Sequence, residues 1–255
     1  MDLGLEGRRI LVGGASRGLG AAIAEALAGE GARVGAIARP SDELTAIADR
    51  IGAVALPADL GAVDAPAEVA VRGIEALGGL DGLVVNSGGP PPGSFSQLDE
   101  AAWTRAIDGT LLAAIRLIRA CLPALREGMD PAIVIVLSSS VREPIPGLVT
   151  SNVLRPGLNG LIKSLTSEIA PIRINGIAPG RIDTARIRSL DASRAAETGS
   201  SVEQIQEATR GRIPLGRYGE PPEVGRVAAF LLSRAASYVN GVVMAVDGGM
   251  IRSLP

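Results

Sequence analysis

The chain has 255 residues, 47% apolar and 20% charged, which suits a folded domain with a sizeable core and excludes a disordered polymer. Its 25 basic and 27 acidic residues sum to −2, so there is no basic surplus for a phosphate backbone and no nucleic-acid partner is expected. With no His there is no imidazole base or His metal site, and with Cys121 alone there is no disulfide or thiolate cage, so no metal is expected.

Short β-like runs alternate with amphipathic, helix-like runs along the whole length. Strands are predicted at Arg9–Gly13, Arg33–Ala38, Ala53–Leu56, Gly82–Asn86, Ala132–Ser138, Ile172–Ile177 and Val242–Val246. Their near-continuous Val, Ile and Leu content is that of strands covered on both faces. Helices are predicted at Gly18–Ala28, Ser41–Arg50, Ala65–Leu77, Glu100–Arg126 and Leu158–Ala170. The expected fold is α/β: a single Rossmann-type, doubly wound parallel sheet of about seven strands over residues 1–255, with helices on both faces. Pro90-Pro91-Pro92-Gly93 reads as a stiff turn, and the polar stretch 185–212 as an insertion able to cover a substrate. No apolar run is long enough to span a bilayer, and MDLGLEGRR carries no long apolar stretch, so a cytoplasmic protein without membrane contact is expected.

The first strand runs into Gly13-Gly14-Ala15-Ser16-Arg17-Gly18-Leu19-Gly20, and a helix follows. Glycines at such a turn let a phosphate approach the backbone and let the helix lie close to the strand, while the first free amides and the helix dipole attract the anion. A dinucleotide is the expected ligand, with a plain Gly-rich turn as the bland alternative in a chain of 33 Gly. An acid at the end of the second strand would bind the ribose hydroxyl of NAD. Ala38-Arg39 offers a cation there instead, and Arg17 adds a second, so NADP is expected ahead of NAD.

With these residues in view, the chain resembles the short-chain dehydrogenase/reductase family nearly end to end. Gly14, Gly18 and Gly20, with Ser16, Arg17 and Leu19 between them, resemble that family's opening motif, although Gly13 stands where Thr is usual. Asp59-Leu60 is similar to the family's adenine contact, and Asn86-Ser87-Gly88-Gly89 to its Asn-Asn-Ala-Gly signature. Pro179-Gly180-Arg181-Ile182-Asp183-Thr184 resembles the segment whose Thr touches the nicotinamide amide. Tyr238-Val239-Asn240-Gly241 and Val246-Asp247-Gly248-Gly249 resemble its C-terminal signature. The resemblance implies a small-molecule substrate and a homo-oligomer, a dimer or tetramer.

The family's chemistry uses an Asn, a Ser and a Tyr-x-x-x-Lys pair on one helix, and here the resemblance breaks. Lys163 is the only Lys, but Gly160-Leu-Ile-Lys-Ser-Leu-Thr-Ser-Glu resembles the stretch that follows the catalytic Lys by about a turn and a half. Anchored there, the Tyr position falls on Ser151 and the Lys position on Arg155; the Ser falls on Ser138 and the Asn on Thr110. A guanidinium can hold the ribose, while a Ser hydroxyl is shorter and far less acidic than a phenol. Glu143 and a relay through Ser138, Ser140 and Ser151 are further candidates for the proton; Ser139 and Ser140 read equally well as polar residues closing a strand. Tyr218 and Tyr238, the only tyrosines, read as packing or subunit contacts. Three functions stay open: an NADP-dependent oxidoreductase with a non-standard site, a silent dinucleotide binder, or a subunit assembling with an active relative. Arg186, Arg188 and Arg194 in the covering segment hint at an anionic substrate.

Overall fold

The structure, a computed structural model, describes residues 2–253. Seven parallel strands form one sheet in the order β3-β2-β1-β4-β5-β6-β7. They are β1 (Arg9–Gly13), β2 (Arg33–Ala38), β3 (Val54–Pro57), β4 (Gly82–Val85), β5 (Ala132–Val136), β6 (Arg173–Pro179) and β7 (Val243–Val246). The order reverses between β1 and β4, the position at which open α/β sheets leave a crevice beyond the strand C-termini. The expected fold class is borne out.

Alternate residues of each strand feed opposite cores. Ile10 and Val12 of β1, with Ala132, Val134 and Val136 of β5, pack on one face against α1 (Gly18–Gly29), α2 (Asp42–Ile51) and α9 (Pro221–Leu232). Leu11, Ile133 and Ile135 point the other way, into a core shared with α3 (Ala65–Leu77), α5 (Ala113–Arg126) and α6 (Val149–Glu168). This is the period of two expected of a sheet buried on both sides. Cys121 lies wholly inside the second core, and burial pushes its thiol up to about 12, which leaves it inert.

Four stretches differ from the sequence expectation. The run expected as one helix from Glu100 is α4 (Glu100–Ala106), a π-helical stretch over Ile107–Leu112, and then α5. α6 begins at Val149, nine residues before the predicted start at Leu158, and runs through Pro156. Pro90-Pro91-Pro92 is not a turn: the run is irregular, and Gly93 forms a β-bridge to Leu148 at the start of α6. The stretch 185–212 folds largely as two helices, α7 (Ala185–Thr198) and α8 (Val202–Arg210). Thr184 caps the first, and a reciprocal Ser201–Gln204 box caps the second.

Candidate functional site

The glycine turn between β1 and α1 is tightly laced. Gly14 and Gly18 have φ of 60° and 59°, in the left-handed region that favours glycine. A Cβ at Gly20 would lie 2.1 Å from the Gly14 carbonyl oxygen, so the close approach of helix to strand leaves no room for a side chain there. Asn86 Nδ2, from the end of β4, donates to the Gly13 carbonyl at 3.1 Å. The Ala15 amide donates to Ile37 of β2 at 3.0 Å. Arg17 precedes α1 without a side-chain cap, so the first amides of that helix are left for another acceptor. The tight turn and the free amides at the start of α1 fit a bound diphosphate.

Of the other expected cofactor residues, Thr184 and Leu60 come up against this turn. Thr184, the N-cap of α7, brings its Cγ2 to 3.7 Å from where a Gly18 Cβ would stand. Its neighbours Pro179 and Ile182 are buried, and Gly180 packs so closely on Asp247 that a Cβ would come within 2.6 Å of that residue's own Cβ. Gly88 is exposed in the segment after Asn86. Asp59 is exposed beyond β3, its carboxylate accepting the Gly61 amide at 3.0 Å, while Leu60 is buried. Arg17 and Arg39 are both exposed, and among the described residues neither makes a salt bridge.

The expected catalytic residues lie on three elements. Ser151 and Arg155 occupy the first turns of α6, and both are buried. Four residues apart, they share a helix face, as the spacing required. Thr110 is buried in the π-helical stretch, which packs beside α6. The structure adds one pairing that the spacing did not single out. Ser138 caps the short 3-10 turn Ser139–Val141, its hydroxyl accepting the Ser140 amide at 3.1 Å. It is Ser140 whose hydroxyl meets that of Ser151, at 3.0 Å, inside the protein.

Arg155 Nη1 donates to the Val136 carbonyl at the end of β5, and its Nε is buried without a partner. Burial, reinforced by the positive charge of Arg186, pushes the guanidinium down to about 10, so it remains a cation at neutral pH. A buried cation with a spare donor fits a ligand rich in hydroxyl or anionic oxygen. The tyrosines are elsewhere. Tyr218 donates to Asp191 at 2.9 Å, and Tyr238 is fully exposed. Lys163 is exposed two turns further along α6. Glu143 accepts the amides of Arg252 and Ser253 and so pins the C-terminal segment. A concavity of about 480 Å³ beside β7, lined by residues such as Ile182, Leu215 and Asp247, includes neither Ser140, Ser151 nor Arg155.

No helix among the described residues is long and apolar enough to cross a membrane, and no cluster of potential metal ligands occurs among them.

Comparison with known proteins extends the picture to the full chain. Residues 14–251 match the family described as enoyl-(acyl carrier protein) reductase. The chain is 32% identical to the 3-oxoacyl-(acyl-carrier-protein) reductase FabG of Escherichia coli over 97% of its own length and 99% of that protein. It is 31% identical to human dehydrogenase/reductase SDR family member 4, over 94% of this chain and 86% of that one. Among solved structures it superposes with a TM-score of 0.91 on an L-sorbose reductase from Gluconobacter frateurii complexed with NADPH and L-sorbose, at 28% identity and full coverage of both chains. In sequence as in fold, from the glycine turn to the last strand, the chain belongs to the short-chain dehydrogenase/reductase family.

Proposed function

We propose that the protein is an NADP(H)-dependent oxidoreductase acting on a small carbonyl or alcohol, with Ser151 and Arg155 at the positions where the family carries Tyr and Lys. The observation that carries this reading is the convergence, at one sheet edge, of the laced glycine turn and a buried Arg155 with an unpartnered Nε. The likeness to a reductase solved with NADPH supports the cofactor, as do the unpaired Arg17 and Arg39, suited to a 2′-phosphate. Asp59, Leu60, Asn86, Gly88, Pro179, Gly180, Ile182 and Thr184 would complete the binding surface. The chain would work as one domain with 185–212 covering the substrate, and as a cytoplasmic homo-oligomer.

The bound dinucleotide supplies the hydride for reduction, or accepts it for oxidation. The protein's own part is to hold and to move a proton. Arg155 would hold the ribose through its free Nε and keep its charge throughout. Ser140 and Ser151 hold the substrate oxygen, with Ser138 behind them and Thr110 supporting α6. On reduction the carbonyl carbon gains the hydride and its oxygen gains one proton. Neither serine can release a proton at neutral pH without taking another, so the proton comes from water through the Ser140–Ser151 pair. General acid–base help is worth roughly 10²–10⁴ in rate, so turnover is slow by the family's standard. NADPH consumption against a broad panel of carbonyls tests the reading; bound NADPH with no turnover on any of them would overturn it.

One observation favours a second reading. The Ser140 and Ser151 hydroxyls satisfy each other, and among the described residues no acid of suitable strength joins them, as in a protein that binds dinucleotide without using it. That reading gains if turnover appears only after Ser151→Tyr with Arg155→Lys.

A further inference from the structure

Resting on the oxidoreductase reading, we infer that Arg186 forms an anion site, backed by the charge of Arg155, that selects carbonyl substrates bearing a carboxylate near the carbonyl, as in a short oxo acid.

Arg186 lies in the first turn of α7 and reaches back across the segment that follows β4. Its Nη1 donates to the Gly89 carbonyl at 3.3 Å and its Nη2 to the Pro90 carbonyl at 2.7 Å. The next carbonyl along, that of Pro91, accepts Thr150 Oγ1 at 2.9 Å. Thr150 directly precedes Ser151. Successive carbonyls of one extended segment thus carry the Arg186 head and the first turn of α6, which presents Ser151 and then Arg155. The guanidinium stands over Gly89 so closely that a Cβ there would lie 2.3 Å from Arg186 Cζ. A side chain at that position would have to displace the arginine head.

Neither guanidinium has a carboxylate partner among the described residues. Among the described residues their acceptors are neutral carbonyls, and Arg155 Nε has none. Arg186 is exposed, its positive charge acts on the buried Arg155, and an anion held by Arg186 would relieve that repulsion while Arg155 Nε stays free for the ribose. The other arginines of this region do not compete for the role. Arg188 is paired with Asp183 at 2.6 Å, Arg181 is paired with Asp191 at 3.1 Å, and Arg194 lies two turns further along α7. The dinucleotide's diphosphate has its own donors in the glycine turn, and its 2′-phosphate has Arg17 and Arg39. Arg186, beside the turn that carries Ser151, is left to face the substrate. A carboxylate accepts a bidentate guanidinium, and Arg186 supplies two parallel Nη donors. The acid would replace the Gly89 and Pro90 carbonyls as their acceptor.

The test is calorimetric titration of pyruvate and acetoacetate, and of their methyl esters, into protein saturated with NADP⁺. The esters differ in lacking the charge. The acids should bind at least about tenfold more tightly than the esters, since a hydrogen bond to a charged group is worth about 1.5–3 kcal/mol. Arg186→Met should weaken the acids by roughly 10–100-fold on the same basis and leave the esters and NADPH within about twofold. Arg186→Lys should restore part of the acid affinity. Equal binding of acid and ester by the native protein would overturn the inference. So would a loss of NADPH affinity in Arg186→Met as large as the loss of acid affinity, because Arg186 would then hold the cofactor. Should Arg186→Met fail to fold, the native acid-to-ester ratio and the Lys variant still decide. Failure of NADPH to bind native protein would overturn the oxidoreductase reading alone, and the acid-to-ester ratio without nucleotide would then judge the Arg186 anion site by itself.

Discussion

The Ser140 and Ser151 hydroxyls, 3.0 Å apart and buried, are the residues on which the proposed chemistry turns. A phenol beside an ammonium delivers a proton directly, whereas a pair of alcohols can only pass one along. Ser151→Tyr with Arg155→Lys is therefore expected to raise kcat by about 10²–10⁴ on any substrate the native protein reduces, read as NADPH consumption. The counting of residues that led to Ser138 was right about the strand end and silent about rotation. The 3-10 turn Ser139–Val141 turns Ser138 onto its own backbone and Ser140 towards α6. Sequence spacing carries no information on that turn, so Ser140 was only one of several serines in view.

At the opposite edge of the sheet, Asp81 accepts the backbone amide, Nε and Nη2 of Arg9 and the amide of Met129. Burial alone would raise its pKa, but these bonds outweigh burial and hold it down to about 2. A depressed carboxylate stabilises the fold above its unfolded pKa of about 3.9, and the benefit is lost as pH falls from there towards 2. Asp81→Asn should therefore cost about 2 kcal/mol at neutral pH and flatten the acid limb of the stability curve between those values, measured by urea unfolding at several pH values.

Among the elements, α1 and α9 pack closely against each other. A Cβ on Gly225 of α9 would sit 2.5 Å from the Ala22 carbonyl oxygen of α1, which is backbone and cannot yield cheaply. Gly225→Ala should force the helices apart at a cost of about 1–3 kcal/mol and lower the thermal midpoint by several degrees. An unchanged midpoint would mean that the two helices are not in firm contact. The strands were legible in the sequence because each is a compact run of Val, Ile and Leu. α6 was legible only in its second half. Its first half, Val-Thr-Ser-Asn-Val-Leu-Arg-Pro-Gly, holds β-branched residues, a Pro and a Gly, all poor helix formers. It is helical because Leu154 and Leu158 are buried and Thr150 is tied to the Pro91 carbonyl, so packing overrides propensity. The covering segment hid its helices for the opposite reason: α7 buries only Asp191 and Ala195, and α8 buries nothing, which leaves no apolar period to read.

For the molecule as a whole, strand–helix alternation made the sheet and its two covered faces readable from the first residues, and the glycine turn marked the ligand edge. What the sequence alone left undecided was which side chains from distant segments meet there. The central claim is that this edge holds NADPH. Isothermal titration of NADPH and NADH into the purified protein tests it most directly. A single-site isotherm for NADPH, at least about tenfold tighter than for NADH, is the predicted result, with Gly20→Ala abolishing it. At a hundredfold excess over Kd the bound nucleotide should also stabilise the fold by about 2.7 kcal/mol. No heat of binding with either nucleotide, from protein that melts cooperatively, would contradict the account.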